Sequence, residues 1–174
     1  MIVALSAGGV DRARSPWFLP RYVAVGAYAP GNGIFSPTAR LGWELTMIEQ
    51  KTEFVFALEL GPSFGLLRPS GVLMSYQHTL LVGVGLRAGR GKRFYWGVSA
   101  MAGPVLYGAR FTNPALTEER WNGVVDGRLQ AGVDLGPLSL AGYIGFQQPF
   151  FVNPRFAAVY FVGGFNFGVL VNWR

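Results

Sequence analysis

The chain has 174 residues, 51% of them hydrophobic and 15% aromatic, with 25 glycines, only 14% charged residues and a mean hydropathy of +0.30. One domain is the prior at that length, and the apolar surplus disfavours both an ordinary soluble domain and a helix bundle built on Ala, Leu, Glu and Lys. The formal charge of +6 does not indicate nucleic acid, because the basic residues sit between apolar segments and cluster only at Arg87, Arg90, Lys92 and Arg93, while the lack of cysteine excludes disulfide and thiolate chemistry.

Residues 1–20 begin without a positive stretch, and their apolar run is too short for a whole secretory signal, so they read as an arm or the remnant of a processed segment. From residue 21 onward the chain alternates with a period of two, the repeat of a strand. RYVAVGAY puts Val23, Val25 and Ala27 on one face; ARLGWELTM alternates Leu41, Trp43, Leu45 and Met47 with Arg40, Gly42, Glu44 and Thr46. EFVFALELG sets Phe54, Phe56, Leu58 and Leu60 against Glu53, Val55, Ala57 and Glu59. SYQHTLLVGVGL sets Tyr76, His78, Leu80, Val82, Val84 and Leu86 against Gln77, Thr79, Leu81, Gly83 and Gly85. FYWGVSAMAG follows the same rule, as does NGVVDGRLQAGVDL, with Val125, Leu129, Ala131 and Val133 opposite Asp126, Arg128, Gln130 and Gly132. LSLAGYIGF sets Leu138, Leu140, Ile144 and Phe146 against Ser139, Ala141, Tyr143 and Gly145. In the closing segment, expected over 157–173, Phe165, Phe167, Val169 and Val171 oppose Asn166, Gly168 and Asn172.

Eight segments of about ten residues, each with one apolar face and one polar or glycine face, suit strands that cross a bilayer at a tilt. The expected fold is all-β, a closed up-and-down antiparallel transmembrane barrel over 21–174, with a lumen narrow enough for side chains to fill. The connections support it: APGNGIFSPT, PSFGLLRPSG, YGARFTNPALTEER and QQPFFVNPR alternate with short ones around IEQK, RAGRGK and LGP, as loops alternate with turns. Both termini then lie on the turn side. A helical membrane protein is the rival, but Glu44, Glu59, Asp126 and Arg128 leave too few of the apolar runs of about twenty residues that spanning helices need.

With these features the chain resembles the small eight-stranded outer-membrane barrels, the group that includes the membrane domain of outer membrane protein A. The end of the chain carries the nearest thing to a motif: Asn166, Gly168, Val171 and Trp173 match the closing-strand pattern through which, in that group, the barrel-assembly machinery recognises its clients. Val171 stands where an aromatic is common, and Arg174 follows the last aromatic. The resemblance implies a bacterial outer-membrane location, contact with outer-membrane lipid and lipopolysaccharide, and no cofactor.

Arg40, Glu44, Glu59, Asp126 and Arg128 share the inward parity, and charges in so narrow a lumen must pair, so a plug joining Arg128 to Glu44 with Glu59 nearby is expected. A gated narrow channel for small or apolar solutes is the alternative use of the same residues, and an accessory subunit of a larger envelope complex is another. Arg68, Arg110, Arg120 and Arg155 fall on the loop side, where guanidinium groups suit lipopolysaccharide phosphates. Trp43, Trp96, Trp121, Trp173, Phe54, Phe94, Tyr76 and Phe146 read as interfacial girdles. His78, the only histidine, reads as part of the girdle beside Tyr76. The outer-membrane lipid A deacylase, a relative of this architecture, uses a His, a Ser and an acidic residue, but no serine follows two positions on and no carboxylate is expected on that outward face. No catalytic residue and no metal-ligand spacing is expected, and GVGLRAGRG lacks the context of a phosphate loop.

Overall fold

The computed structural model describes residues 19–29, 35–49, 52–65, 71–89, 93–112, 116–152 and 162–173, the side chains of 47–49 excepted. The elements are β1 (Tyr22–Ala29), β2 (Ser36–Glu49), β3 (Thr52–Phe64), β4 (Val72–Ala88), β5 (Phe94–Phe111), β6 (Thr117–Asp134), β7 (Leu138–Pro149) and β8 (Gly164–Trp173). All neighbours in sequence pair antiparallel, and β1 pairs with β8 through Tyr22↔Asn172 to Ala29↔Phe165, closing an eight-stranded barrel. Closure leaves no sheet edge, which is what a β structure needs in hydrocarbon.

The register also fixes the stagger. A path that leaves β8 at Asn172 and crosses Tyr22, Gly42, Glu59, Leu81, Gly103, Val124 and Pro149 returns to the closing segment level with Val162, ten residues away. Eight strands with that stagger tilt by about 40° and enclose a lumen that side chains fill.

Alternation decides which side chains enter it. Leu45, Val82, Trp96, Leu129, Ile144 and Phe165 are exposed on the outer wall, while Ala24, Arg40, Glu59, Asp126, Ala141 and Asn166 are buried. Ala27 departs from its expected outward exposure and is buried. Bulky lumen residues stand opposite ladder glycines: Tyr22 opposite Gly42, Tyr95 opposite Gly132, Tyr143 opposite Gly168 and Met101 opposite Gly83. The glycines make the room. A Cβ on Gly42 would lie 1.9 Å from the Tyr22 ring.

The strands run further than the alternating segments, and the closing strand is shorter than expected, beginning at Gly164. Part of its expected range, 157–161, lies outside the described residues. Tyr107–Phe111 and Thr117–Arg120, expected within the long loop YGARFTNPALTEER, belong to β5 and β6, which run to 18 residues each. Pro62 and Pro149, which fall in the expected loops PSFGLLRPSG and QQPFFVNPR, belong to strands, Pro62 inside β3 and Pro149 as the last residue of β7, and Pro104 lies inside β5. An 18-residue strand at about 3.3 Å per residue, tilted by about 40°, rises about 45 Å against a hydrocarbon core of about 30 Å. The outward apolar run on β5, Phe94 to Leu106, covers about 30 Å of that height, so the loop-side ends of β5 and β6 stand beyond it. The lumen is also less polar than expected. Towards the loops it is filled by Leu81, Met101, Val105, Tyr107, Ala109, Val124 and Val162.

Candidate functional site

The charged residues of the lumen occupy strands on opposite sides of the barrel. Arg128 of β6 reaches Glu59 of β3 with both terminal nitrogens, at 2.6 and 2.7 Å, and donates to Asp126 at 3.1 and 2.9 Å. Arg40 of β2 lies 3.5 Å from Glu59 and 3.8 Å from Asp126, with its guanidinium between the rings of Tyr28 and Tyr143, 4.9 and 5.2 Å from their centroids. Tyr22 donates to Glu59 at 2.7 Å, Tyr28 donates to Gln147 at 2.8 Å, and the Asn166 amide lies 3.4 Å from Asp126. Two cations and two carboxylates balance, and aromatic faces and glycines leave little space around them. The pairing is uneven: Arg128 is held by four hydrogen bonds, whereas the buried Arg40 guanidinium makes none and is held by charge and by the tyrosine faces.

Glu44 belongs elsewhere. It accepts both terminal nitrogens of Arg87, one at 2.8 Å, and the Asn172 amide at 3.0 Å. The expected Arg128–Glu44 pair therefore does not form: Arg87 pairs with Glu44 near the turn side, and four of the five N–H groups of Arg128 are taken by Glu59 and Asp126. Between the two layers is a cavity of about 30 Å³ lined by Glu44, Arg87, Ser99, Gln130, Arg128 and Tyr143. That is room for about two waters. Arg87 was the residue that sequence patterning missed. It continues the inward parity of Gln77 to Gly85, but β4 was expected to end before it.

Of the loop-side arginines, Arg68 and Arg155 lie outside the described residues. Arg110 is exposed on the outer wall at the end of β5. Arg120 is exposed as well, but on the β6 face that carries Asp126 and Arg128, paired with Tyr107 in the ladder. The two described arginines do not share one patch. Among the closing-strand residues, Asn166 is buried in the lumen, Gly168 packs against Tyr143, Val171 is exposed outward and Trp173 is half-buried.

Near the loop-side end of the apolar band, His78 stacks on Tyr76 at 5.4 Å between centroids and meets Phe64 edge-on at 5.3 Å. A carboxylate does reach this outer face, contrary to expectation: Tyr76 lies across Gly108 and donates to Glu119. The extension of β6 brings Glu119 there. Among the described residues no three His, Asp or Glu side chains group as a metal ion would need.

No family model and no curated protein sequence matches the chain. Among solved structures it is similar to the crystal structure of Neisserial surface protein A, with a TM-score of 0.53 and 11% identity over 88% of this chain and 94% of that one. The fold is that of the small eight-stranded outer-membrane barrels. At 11% identity the likeness concerns the fold alone, and the lumen network is described from this chain's own residues.

Proposed function

We propose that the protein is a bacterial outer-membrane barrel with a structural or interaction role in the envelope, its lumen sealed rather than conducting, and that it is not an enzyme. The observation that carries this reading is the cross-lumen network of Arg40, Glu59, Asp126 and Arg128, packed between tyrosines with about two waters' worth of space beneath it. An apolar outer wall about 30 Å tall supports the membrane setting. The likeness to a protein titled a Neisserial surface protein supports the envelope setting. Exposed Arg110 beyond the apolar band supports contact with phosphate-bearing lipid, lipopolysaccharide included.

Planar-bilayer recording tests the sealed lumen. The refolded protein should give no steady single-channel current; regular openings of the wild type would establish the narrow channel instead. Co-purification of a stoichiometric envelope protein from mild detergent would favour the accessory-subunit reading.

A further inference from the structure

The two rims of the outer wall differ in charge. At the loop side Arg110 and Glu119 share the outward face, a cation beside a carboxylate. At the turn side the charged groups found on the outside, among the described side chains, are two arginines, Arg21 and Arg93. The carboxylates at that end belong to the other face: Glu44 and Glu53 are turned into the lumen, and Asp134 shares the inward parity of Asp126 and Arg128.

Both arginines are fixed by the sheet and set beside aromatic rings. The Arg21 carbonyl accepts from the Trp173 N–H at 3.0 Å, and its own N–H donates to the Gly42 carbonyl at 2.6 Å, so β8 and β2 both hold its backbone. Residues that face each other across an antiparallel ladder put their side chains on one side of the sheet, with Cβ atoms about 5 Å apart, so Arg21 joins Trp173 on the outer face that carries Val171 and Val25. On the far side of the barrel the Arg93 carbonyl accepts from the Asp134 N–H at 2.9 Å, and the Arg93 guanidinium turns out over Phe94, 5.9 Å from the ring centroid. Arg93, Phe94 and Trp96 are all exposed. Neither arginine has an ion-pair partner among the described residues. A guanidinium at the aromatic rim of an apolar wall suits a lipid phosphate. With no carboxylate beside it, the rim offers nothing to an ammonium headgroup.

We propose that the turn-side rim is a contact surface for anionic phospholipid, with Arg21 beside Trp173 and Arg93 over Phe94 each taking a headgroup phosphate. The acyl chains run along Val171 and Val25 at one contact and along Trp96 and Val98 at the other. This surface rests on the membrane reading of the barrel, in which the turn side faces the periplasm and its phospholipid leaflet. A zwitterionic lipid brings the same phosphate with an ammonium that finds no partner here. Phosphatidylglycerol should therefore collect at this rim over phosphatidylcholine, and raising the salt concentration should shrink the excess.

The test uses the full chain refolded into vesicles of equal parts phosphatidylglycerol and phosphatidylcholine, with bromine on the acyl chains of one lipid or the other to quench nearby tryptophans. Both leaflets have the same composition, so the direction of insertion does not alter the reading. Three variants each keep one tryptophan, Trp173, Trp96 or Trp121, with Phe at the other four positions. At Trp173 and Trp96 quenching should report about a fivefold excess of phosphatidylglycerol, the weight of one basic residue at an anionic surface. At Trp121, with Arg110 and Glu119 on the same face, the two lipids should quench equally. Arg21→Gln should abolish the excess at Trp173 and leave it at Trp96, and Arg93→Gln should do the reverse. Millimolar glycerol phosphate should leave the excess in place; its loss would reassign the ligand to a soluble phosphate compound. Equal quenching by the two lipids at Trp173 and Trp96, or an excess that survives in the double variant, overturns the surface alone. Folded protein whose tryptophans neither lipid quenches overturns the membrane reading itself.

Discussion

Replacing Arg128 with Ala removes the centre of the lumen network. The side chain makes four hydrogen bonds, two to Glu59 and two to Asp126. Without it two carboxylates face a single cation, Arg40, which sits 3.5 and 3.8 Å away and is itself held by tyrosine rings. Removing one partner of a buried ion pair costs about 3–5 kcal/mol, because the other charge is left without compensation. Arg40, the Tyr22 hydroxyl on Glu59 and the Asn166 amide on Asp126 soften the loss, so the lower end, about 3 kcal/mol, is expected. Urea titration of protein refolded into lipid vesicles, followed by Trp fluorescence, measures it. A loss below about 0.5 kcal/mol, the scale of an unremarkable surface substitution, would refute the view that this network holds the lumen together.

The two charged layers should separate in double-mutant cycles. Glu44→Ala should couple to Arg87→Ala by about 0.5–3 kcal/mol and to Arg128→Ala by close to nothing. Tyr22→Phe, which strips a donor from buried Glu59, should cost about 1.5–3 kcal/mol in the same unfolding assay. An arginine at Val169, on the lipid face, should cost about 2–4 kcal/mol if the site lies near mid-membrane. Leucine at Gly168 should fail differently, by overpacking, since even a Cβ there would lie 2.3 Å from the Val25 carbonyl oxygen and 2.7 Å from the Tyr143 hydroxyl. Cysteines placed singly from Phe165 to Val171 should label from the lipid phase at every second position; a period near 3.6 would be incompatible with β8.

What the sequence determined by itself was the alternation, because in a barrel each residue faces either lipid or lumen and nothing intermediate is stable. Phe165, Phe167, Val169 and Val171 had to lie on one face and Asn166 on the other, and that parity placed Arg40, Glu59, Asp126 and Arg128 inside. Strand ends were less legible. Pro149 ends β7, whereas Pro62 and Pro104 lie inside strands: the ladder on one side skips the pairs beside them, between Ser63 and Leu60 and between Val105 and Ala102, while the ladder on the other side continues and carries the strand through. Partner choice within the lumen was decided by tertiary structure alone. Register and stagger, set by all eight pairings together, bring Arg128 to Glu59 and leave Glu44 to Arg87. The Tyr76–Glu119 contact likewise exists only because β5 lies between their strands with a glycine at the crossing, a relation between residues 43 positions apart that no local pattern encodes.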